Sequence, residues 1–534
     1  MTYSINNRCI LCDNCLPQCP IGAIKYEDGE YWIDPTTCDS CRDRSPAPQC
    51  VIACPVDSPI PLKPKKGRYK VAARPITSLD LFLNGKSNPF ASAMVMWELC
   101  NILAQRQSLP WQVDSFGGFY YQRKINRGQG TLTFRLADTL DPNLPKPLDS
   151  EAARAALSAF DIRAACLNLI YAAYAVTLEC PWEQDFIISD QQIEHYLGLE
   201  KRKDLNKLDK LTLIKDLVQQ PCKVLVTIQW PRNGRVTEFS VGESLLWRLM
   251  DIDYHFQEDD LGCKHLIGLT FRLRAGLWAK YFLNKQGYQN GAAFYQYGHL
   301  PKSLLSEVMS IWQQHEGAAR MLLWLLFKTR LGEDQRLTVR TLMRIAYGEE
   351  RVVQACSQRG VHKRLLRTFE SDLETLNYYG LKPIFDPITY PPEIQPLWVK
   401  LAEIPDDAEA AAEFWANDGS RNQRLTDTAP RGKWSRLMNA RLLHFELPPE
   451  WDQKLSQPRS KKRQKTNQKS VSKKQFPLSG SVLTAARKRL QLSQRALANR
   501  IGKSQSWIRD IENDRFQPNT KDLSLLRNIL EIEQ

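Results

Sequence analysis

The chain has 534 residues, a formal net charge of +14 and a hydrophobic fraction of 43%, which allows several domains with sizeable cores. Its longest wholly apolar runs, residues 169–176 and 321–327, are far shorter than the ~20 residues of a membrane helix. We therefore expect no membrane contact. Because the opening MTYSINNRC has no apolar signal region, we also expect the protein to remain in the reducing cytoplasm.

Eight of the 14 cysteines lie within the first 54 residues, in two groups that each end in Cys-Pro. In the bacterial CxxCxxCxxxCP pattern, three thiolates bind one four-iron cluster and the fourth binds the other. Residues 1–65 therefore predict a bacterial-type 2[4Fe-4S] ferredoxin domain with two crossed ligand sets. The first set is Cys9, Cys12, Cys15 and Cys54, and the second is Cys19, Cys38, Cys41 and Cys50.

Two other interpretations compete with the clusters. Zinc sites also use CxxC pairs, but they have no use for a third cysteine at the same spacing or for the Cys-Pro that ends each group. A disulfide framework conflicts with a reducing compartment. The second group departs from the shortest pattern, since residues 42–49 separate Cys41 from Cys50, and we expect this insertion only to lengthen a loop.

Residues 66–450 contain no phosphate loop, dinucleotide fingerprint or nucleophile elbow, so we expect no enzyme activity. Two blocks, near 185–245 and 335–390, combine helices with strands. In the first, a helix capped by Ser189 precedes a predicted hairpin of strands 223–230 and 236–241. In the second, a helix capped by Thr338 precedes a longer helix over 361–379, basic at its start, and a strand over 381–385.

The two blocks resemble the paired winged helices of plasmid replication initiators in outline. The alternative is a mixed helical and β core that positions the two ends of the chain. The six other cysteines are scattered in mostly apolar surroundings, where buried cysteine is common. His255, Cys263 and His265 suggest a metal, but they lack a spaced fourth ligand, so we expect no site there.

Residues 451–477 predict a disordered basic linker. Positions 459–474 hold eight basic residues and no acidic one, a composition that cannot fold around a core. We expect Lys461, Lys462 and Arg463 to lie along DNA phosphates and to release counterions. The alternative is a spacer that makes no contacts.

Residues 478–534 predict an all-α helix-turn-helix domain. Ser493 and Ser504 are placed to cap successive helices, and Gly502 is placed to turn the chain between them. Apolar residues at helical spacing then form the seam between the two helices. These are Leu497, Ile501, Ile508 and Ile511.

This stretch resembles the Cro and phage-repressor (XRE-type) DNA-binding family. The resemblance implies that Gln505, Ser506 and Arg509 read bases in the major groove. It also implies that the phosphate contacts come from Gln494, Asn513 and Arg515. The sequence departs from the family pattern at Trp507, which is larger than usual, and at Asp514, which replaces a common glycine.

An amino-terminal ferredoxin joined to a carboxyl-terminal Cro-like reader resembles the cyanobacterial nitrogen-fixation regulators called PatB or CnfR. The resemblance implies a multidomain α+β activator of nitrogen-fixation genes that responds to oxygen or redox state through two [4Fe-4S] clusters. The expected partners are double-stranded promoter DNA, RNA polymerase and a second copy of the chain. The rival functions are a ferredoxin-type electron-transfer protein and a replication-initiator-like DNA-binding protein.

Overall fold

The computed structural model forms two compact units, Met1–Leu455 and Ser456–Gln534. It describes residues 2–27, 29–62, 75–83, 85–138, 145–328, 337–402, 404, 407–420, 432–448, 451, 480–513, 515, 518 and 520–530. Lys461, Lys462, Arg463 and Asp514 lie outside the described residues. The chain is mixed α and β, as its sequence predicts.

The amino-terminal segment, residues 2–62, is built from short elements around a small core. Its elements are β1 (Tyr3–Ile5), β2 (Ile24–Glu27), β3 (Glu30–Ile33), α1 (Gln49–Ile52) and β4 (Pro59–Pro61). β1 pairs antiparallel with β4, and β2 pairs antiparallel with β3. The core contains Ile5, Ile24 and Ile33 together with several of the cysteines. A core this small does not stabilise a fold unaided, so the segment depends on what its cysteines bind and on what it packs against.

The next part of the chain alternates helices and strands. Its elements are β5 (Ser87–Ala91), α2 (Met94–Gln105), β6 (Gln112–Val113), β7 (Phe119–Ile125), β8 (Gly130–Leu136), α3 (Ser150–Ala159), α4 (Arg163–Thr177), β9 (Asp185–Ser189), α5 (Asp190–Tyr196), α6 (Lys207–Gln219), β10 (Val224–Trp230), β11 (Phe239–Leu245), β12 (Trp247–Glu258) and β13 (Lys264–Ala275). Helix α4 lies at the centre, with residues 163–175 all buried. Within it, Asn168 accepts a hydrogen bond of 2.9 Å from the Trp247 indole, which fixes the start of β12 against the helix.

The remainder of the first unit is mainly helical. Its elements are α7 (Trp278–Phe282), α8 (Lys285–Gln289), β14 (Tyr297–Pro301), α9 (Lys302–Ile311), α10 (Glu316–Lys328), β15 (Leu337–Thr338), α11 (Val339–Tyr347), α12 (Glu349–Ser357), α13 (Arg359–Tyr378), β16 (Lys382–Phe385), α14 (Leu397–Leu401), α15 (Ala408–Ser420), α16 (Lys433–Asn439) and β17 (Arg441–Glu446). The predicted caps are present: Ser189 accepts from the Gln192 amide and Thr338 from the Thr341 amide.

The sheets correct one detail of the first predicted block. The hairpin that follows α6 does form, but β10 and β11 belong to a five-stranded sheet of order β11-β10-β8-β7-β6. The return strand starts at Phe239 rather than at position 236, because Asn233 and Val236 close a tight turn before it. Strand β9, which leads into α5, instead pairs with β13 in a separate sheet of order β12-β13-β9. The strands that accompany α5 and α6 are therefore β12 and β13.

The second block has the same strand order. Its sheet has the order β15-β17-β16. As in the sheet β12-β13-β9, the strand that comes last of the three in the sequence lies between the other two. The predicted strand over 381–385 is observed as β16, and the basic helix over 361–379 is observed as α13.

The carboxyl-terminal unit consists of four helices around its own core. They are α17 (Gly480–Arg489), α18 (Gln494–Ile501), α19 (Gln505–Glu512) and α20 (Thr520–Leu530). In the described part of the chain, no single helix is long and apolar enough to cross a membrane. Only α3 and α4 together meet such a length and composition, and they are bent by 88° at the break between them.

Candidate functional site

The eight amino-terminal cysteines line two separate pockets. The first cluster pocket is lined by Cys9, Cys12, Cys15 and Cys54, and the second cluster pocket by Cys19, Cys38, Cys41 and Cys50. The fold thus brings together the two crossed sets that the spacing predicts, with one cysteine of each group reaching the other group's pocket.

Backbone geometry is matched between the two pockets. Four residues after each crossing cysteine, an amide points at that cysteine's sulfur: Ala23 N lies 3.2 Å from Cys19 Sγ, and Ser58 N lies 3.4 Å from Cys54 Sγ. Such N–H groups stabilise negative charge on a thiolate and tune the potential of a cluster that it holds.

Left-handed residues shape the loop of each pocket. Leu11 and Asp13 flank Cys12 with φ of 56° and 61°, and Ser40 and Cys41 have φ of 61° and 53°. Residues other than glycine rarely adopt this conformation. In these loops it wraps the backbone around the pocket.

Each pocket is lined by four cysteines, which is the number of protein ligands that a [4Fe-4S] cluster takes. Among the residues that the structure describes, no three His, Cys, Asp or Glu side chains converge closely enough to bind one metal ion together. A zinc ion, with Zn–S bonds of about 2.3 Å, would draw its sulfurs to within about 4 Å of one another. In an iron–sulfur cluster the thiolates surround a larger group. Four cysteines to a pocket, one of them crossing from the other group, are the ligand arrangement of such clusters.

Burial affects the thiols directly. Loss of solvent raises the pKa of Cys15 and Cys38 above the ordinary thiol value and raises that of Cys50 to about 11. A raised pKa favours the protonated thiol, so iron must displace a proton when it binds such a cysteine. Iron binding is thus coupled to the local fold.

His255, Cys263 and His265 do not form a second metal site in the described structure. The His255 Nε2 atom lies 2.7 Å from the Thr270 hydroxyl, and the His265 Nε2 atom lies 2.9 Å from an Asp259 carboxylate oxygen. Both rings make hydrogen bonds within the β12–β13 hairpin.

The amino-terminal segment is fastened to α6 through a buried ion pair. Lys215 Nζ lies 2.6 Å from Asp34 Oδ2, and the two side chains are 12% and 1% exposed. Lys215 also donates to the Thr36 and Thr37 hydroxyls at 2.8 and 3.3 Å, and Tyr254 donates to Asp34 at 3.2 Å. Burial raises the pKa of Asp34, but the hydrogen bonds that it accepts from Lys215, Thr36 and Thr37, together with the charge of Lys215, outweigh burial, and the net pKa is lowered.

Asp34 also belongs to the loop of the second cluster pocket. Its backbone carbonyl accepts a hydrogen bond of 2.9 Å from the amide of Cys38. One residue therefore contacts both a predicted cluster ligand and the lysine of α6. This link is not visible in the sequence, because Asp34 and Lys215 are 181 positions apart.

The β12–β13 hairpin also packs against the amino-terminal segment. Trp32 packs on Tyr254 and Phe256, with ring centroids 4.8 and 5.0 Å away. Lys264 Nζ lies 2.5 Å from the exposed carboxylate of Glu30, and its amide donates to Ser4. We call the contacts of residues 2–62 with α6 and with β12–β13 the docking interface.

The carboxyl-terminal unit is a helix-turn-helix with the predicted caps. Ser493 accepts from the Ala496 amide and Ser504 from the Trp507 amide. Gly502, with φ of 71°, makes the left-handed turn between the helices. The predicted seam is present, with Leu497, Ile508 and Ile511 buried and Ile501 partly buried.

Of the six predicted DNA contacts on this unit, five are exposed and Gln494 is half-buried. The five are Gln505, Ser506, Arg509, Asn513 and Arg515. The hydroxyl of Ser506 shares a hydrogen bond of 2.9 Å with that of Ser504. Arg509 lies 3.7 Å from Asp510, a weak surface pair, and the exposed Arg515 lies 3.1 Å from the same carboxylate. Gln494 donates to Glu512 at 2.8 Å, so its side chain is partly used inside the unit.

A buried ion pair holds the first and third helices of this unit together. Arg487 Nε lies 2.5 Å from Glu512, and both side chains are largely buried. Burial alone would raise the pKa of Glu512, but the hydrogen bonds from Arg487 and Gln494 outweigh it, and the net pKa is lowered. The pair fixes the end of α19, the helix that carries Gln505 and Arg509.

Comparisons with known proteins agree with both ends of the chain. The Helix-turn-helix family matches residues 483–533. The amino-terminal segment is similar to the "Ferredoxin-like protein in nif region" of Trichormus variabilis, at 47% identity over 57 residues, which is 10% of this chain and 49% of that protein. The chain thus spans about half the length of the first curated relatives that it matches.

Two further relatives are matched over most of their length. "Ferredoxin-2" of Chlorobaculum tepidum is 40% identical over 57 residues, which is 11% of this chain and 92% of that protein. The "Ferredoxin-like protein in vnf region" of Azotobacter chroococcum is 43% identical over 50 residues, covering 9% of this chain and 75% of the relative. Together with the cysteine pockets, these similarities imply that the segment binds iron–sulfur clusters. Through this segment the chain belongs to the ferredoxin family, and its carboxyl-terminal unit carries a Cro/XRE-type helix-turn-helix domain.

Proposed function

We propose that this protein is an iron–sulfur transcriptional activator of the PatB or CnfR type, which switches on nitrogen-fixation genes when oxygen is low. One observation carries the proposal: a ferredoxin segment with two four-cysteine pockets shares a chain with a helix-turn-helix DNA-binding unit. The names of several relatives refer to nif or vnf regions, which supports the choice of target genes. The protein acts by binding and carries out no reaction of its own.

The pockets support two [4Fe-4S] clusters in the crossed arrangement, one in each pocket. When bound, such clusters supply an oxygen-labile, redox-active group. The chain's own residues hold the thiolates, direct amides at two of the sulfurs and link the second pocket to α6 through Asp34. Loss of a cluster therefore disturbs the docking interface.

At the DNA end, Gln505, Ser506 and Arg509 read bases, and Asn513 and Arg515 contact phosphates. A second copy of the chain binds the other half-site, and RNA polymerase is the partner that activation requires. The middle region supplies two winged-helix-like units. The first winged unit is α4, β9, α5, α6, β12 and β13, and the second winged unit is α10, β15, α11, α12, α13, β16 and β17.

The test measures promoter output in cells with and without oxygen. The variants are Cys9→Ser and Cys38→Ser, and the matched control is Cys356→Ser, which changes an exposed cysteine outside both pockets. We expect the parent and the control to activate only at low oxygen and both pocket variants to fail. Equal activation by all four proteins without oxygen would contradict a role for the clusters in the switch.

A chemical measurement checks the cofactor independently. Anaerobically purified protein should contain about eight iron and eight sulfide per chain. Cys12→Ser and Cys41→Ser should each lose at least half of the iron, because each removes a ligand from a different pocket. A colourless protein with stoichiometric zinc would overturn this part of the proposal.

A further inference from the structure

The last helices of the two winged units differ in how their charged side chains are paired. In each unit a strand leads into a short helix whose N-cap is a serine or a threonine. A later helix in each unit precedes the two remaining strands of the sheet. That later helix is α6 in the first winged unit and α13 in the second. Because the topology is shared, the exposed surfaces of α6 and α13 are directly comparable.

All three lysines of α6 form ion pairs within the first unit. Lys207 pairs with Asp190 at 2.8 Å, Lys210 pairs with Glu194 at 2.8 Å, and Lys215 pairs with Asp34 of the amino-terminal segment at 2.6 Å. The adjoining hairpin is covered as well, since Tyr254 and Phe256 pack on Trp32. The docking interface therefore uses the helix and hairpin surface of the first winged unit for a protein contact.

Helix α13 presents the opposite situation. Its inner face buries Leu365, Phe369 and Leu373 at helical spacing, which leaves the other face to solvent. On that face Lys363, Arg364 and Arg367 are all exposed. Among the described residues, none of the three has an ion pair or hydrogen bond to an acidic side chain.

The sequence around these residues has one sign of charge. Positions 359–369 contain four basic residues and no acidic one. The first acidic residue that follows, Glu370, is paired with Lys433 at 2.6 Å and so does not neutralise the exposed face. Three uncompensated cations on one face repel one another by a few tenths of a kcal/mol per pair, and a polyanion that covers them would remove this repulsion.

We infer that the exposed face of α13, formed by Lys363, Arg364 and Arg367, is a second DNA-binding surface that contacts phosphates independently of the helix-turn-helix unit. This inference rests on the proposed function, because it assumes that the chain acts on double-stranded DNA. Lys363 and Arg367 are separated by about 6 Å along the helix axis, which is the scale of one to two phosphate steps along a strand. Arginine and lysine at such spacing release counterions from DNA without reading its sequence.

The consequence is a protein that contacts DNA at two places. The helix-turn-helix unit supplies sequence reading, and the second winged unit supplies affinity. Two linked contacts on one molecule bind more tightly than either alone, because the second becomes intramolecular once the first has formed.

The test compares full-length, anaerobically purified proteins on a duplex DNA fragment of a target promoter, over a series of salt concentrations. The test variant carries Lys363→Gln, Arg364→Gln and Arg367→Gln. The matched control carries Lys203→Gln, Arg232→Gln and Arg235→Gln, which removes the same charge from exposed positions outside α13. A third protein carries Arg509→Ala.

We expect the test variant to lose about tenfold or more in affinity near physiological salt and to reduce the slope of log Kd against log salt by about 2 to 3. The control should change neither quantity by more than about twofold. Combining the test variant with Arg509→Ala should lose affinity multiplicatively, because the two surfaces are separate. A footprint on the promoter should lose part of its protected length in the test variant and keep its sequence preference.

Two results would overturn the inference. If the test variant binds DNA with the parent's affinity and salt slope, the face does not contact DNA; failure to activate transcription alongside normal DNA binding would assign it to an acidic protein partner instead. If test and control variants lose affinity equally, the effect is one of net charge. In either case a loss of binding in Arg509→Ala alone would leave the proposed function intact, whereas normal binding by all variants would contradict both.

Discussion

Replacing Lys215 by methionine should release the amino-terminal segment from α6. Methionine keeps the length and the apolar stem of lysine but leaves the Asp34 carboxylate, only 1% exposed, without its counter-charge. Removing one partner of a buried ion pair costs about 3–5 kcal/mol. Because Asp34 keeps its contacts with Thr36, Thr37 and Tyr254, we expect the lower end, about 3 kcal/mol.

The assay is anaerobic urea unfolding of the full chain, followed by the visible absorbance of the bound clusters. For a segment of this size, an m-value of about 1–3 kcal/mol/M converts that loss into a midpoint lower by about 1–3 M urea. The double variant Asp34→Asn with Lys215→Met should recover part of the loss, because it removes the unpaired charge.

Lys264→Met is the matched control. It makes the same substitution in the same interface, but its partner Glu30 is 63% exposed, and exposed pairs contribute about 0–1 kcal/mol. Equal midpoint shifts for the two single variants, or no shift for Lys215→Met, would refute the reasoning that the buried pair fastens the segment.

Three further outcomes follow from single contacts. The folded-state pKa of Glu512 is lowered, so its stabilisation is present above its unfolded pKa of about 4.3 and is lost as the pH falls through its folded value. The hydrogen-exchange protection factors of α17–α20, which account for the slower intrinsic exchange in acid, should therefore fall below about pH 4.5 in the parent and fall less in Glu512→Gln. Gly480→Ala should destabilise the same helices by about 1–3 kcal/mol, measured by the same exchange, because its Cβ would clash with the Glu512 carbonyl. Gly262→Ala should lower the urea midpoint of the cluster absorbance, because the residue has φ of +72° and its Cβ would lie 3.0 Å from Asn7; an unchanged midpoint would contradict this.

Local chemistry accounts for what the sequence predicted well. Helix caps such as Ser189, Thr338, Ser493 and Ser504 act over three residues, so their pattern is visible without the fold. The two cysteine sets were also predictable, because thiolate spacing follows from the pattern itself. Both are cases in which the cause and its structural effect lie close together in the chain.

Non-local pairing accounts for what the sequence did not predict. The hairpin after α6 has a strong local turn signal, yet its sheet is decided by the pairing of β10 with β8, about 90 positions earlier. Asp34 and Lys215 each look like ordinary surface charges until the fold buries them together. The left-handed residues beside Cys12 and Cys41 are not glycines, so composition does not signal them.

The aromatic rings on the outer end of the β12–β13 hairpin have a consequence for the life of the protein in the cell. Tyr254 and Phe256 are covered by Trp32 only while the amino-terminal segment is folded, and a small cysteine-rich segment of this kind folds with its metal. A chain made without iron displays these rings to solvent, and chaperones and proteases remove proteins that do so. We therefore expect iron supply to affect how many copies of the protein persist, separately from any effect on DNA binding.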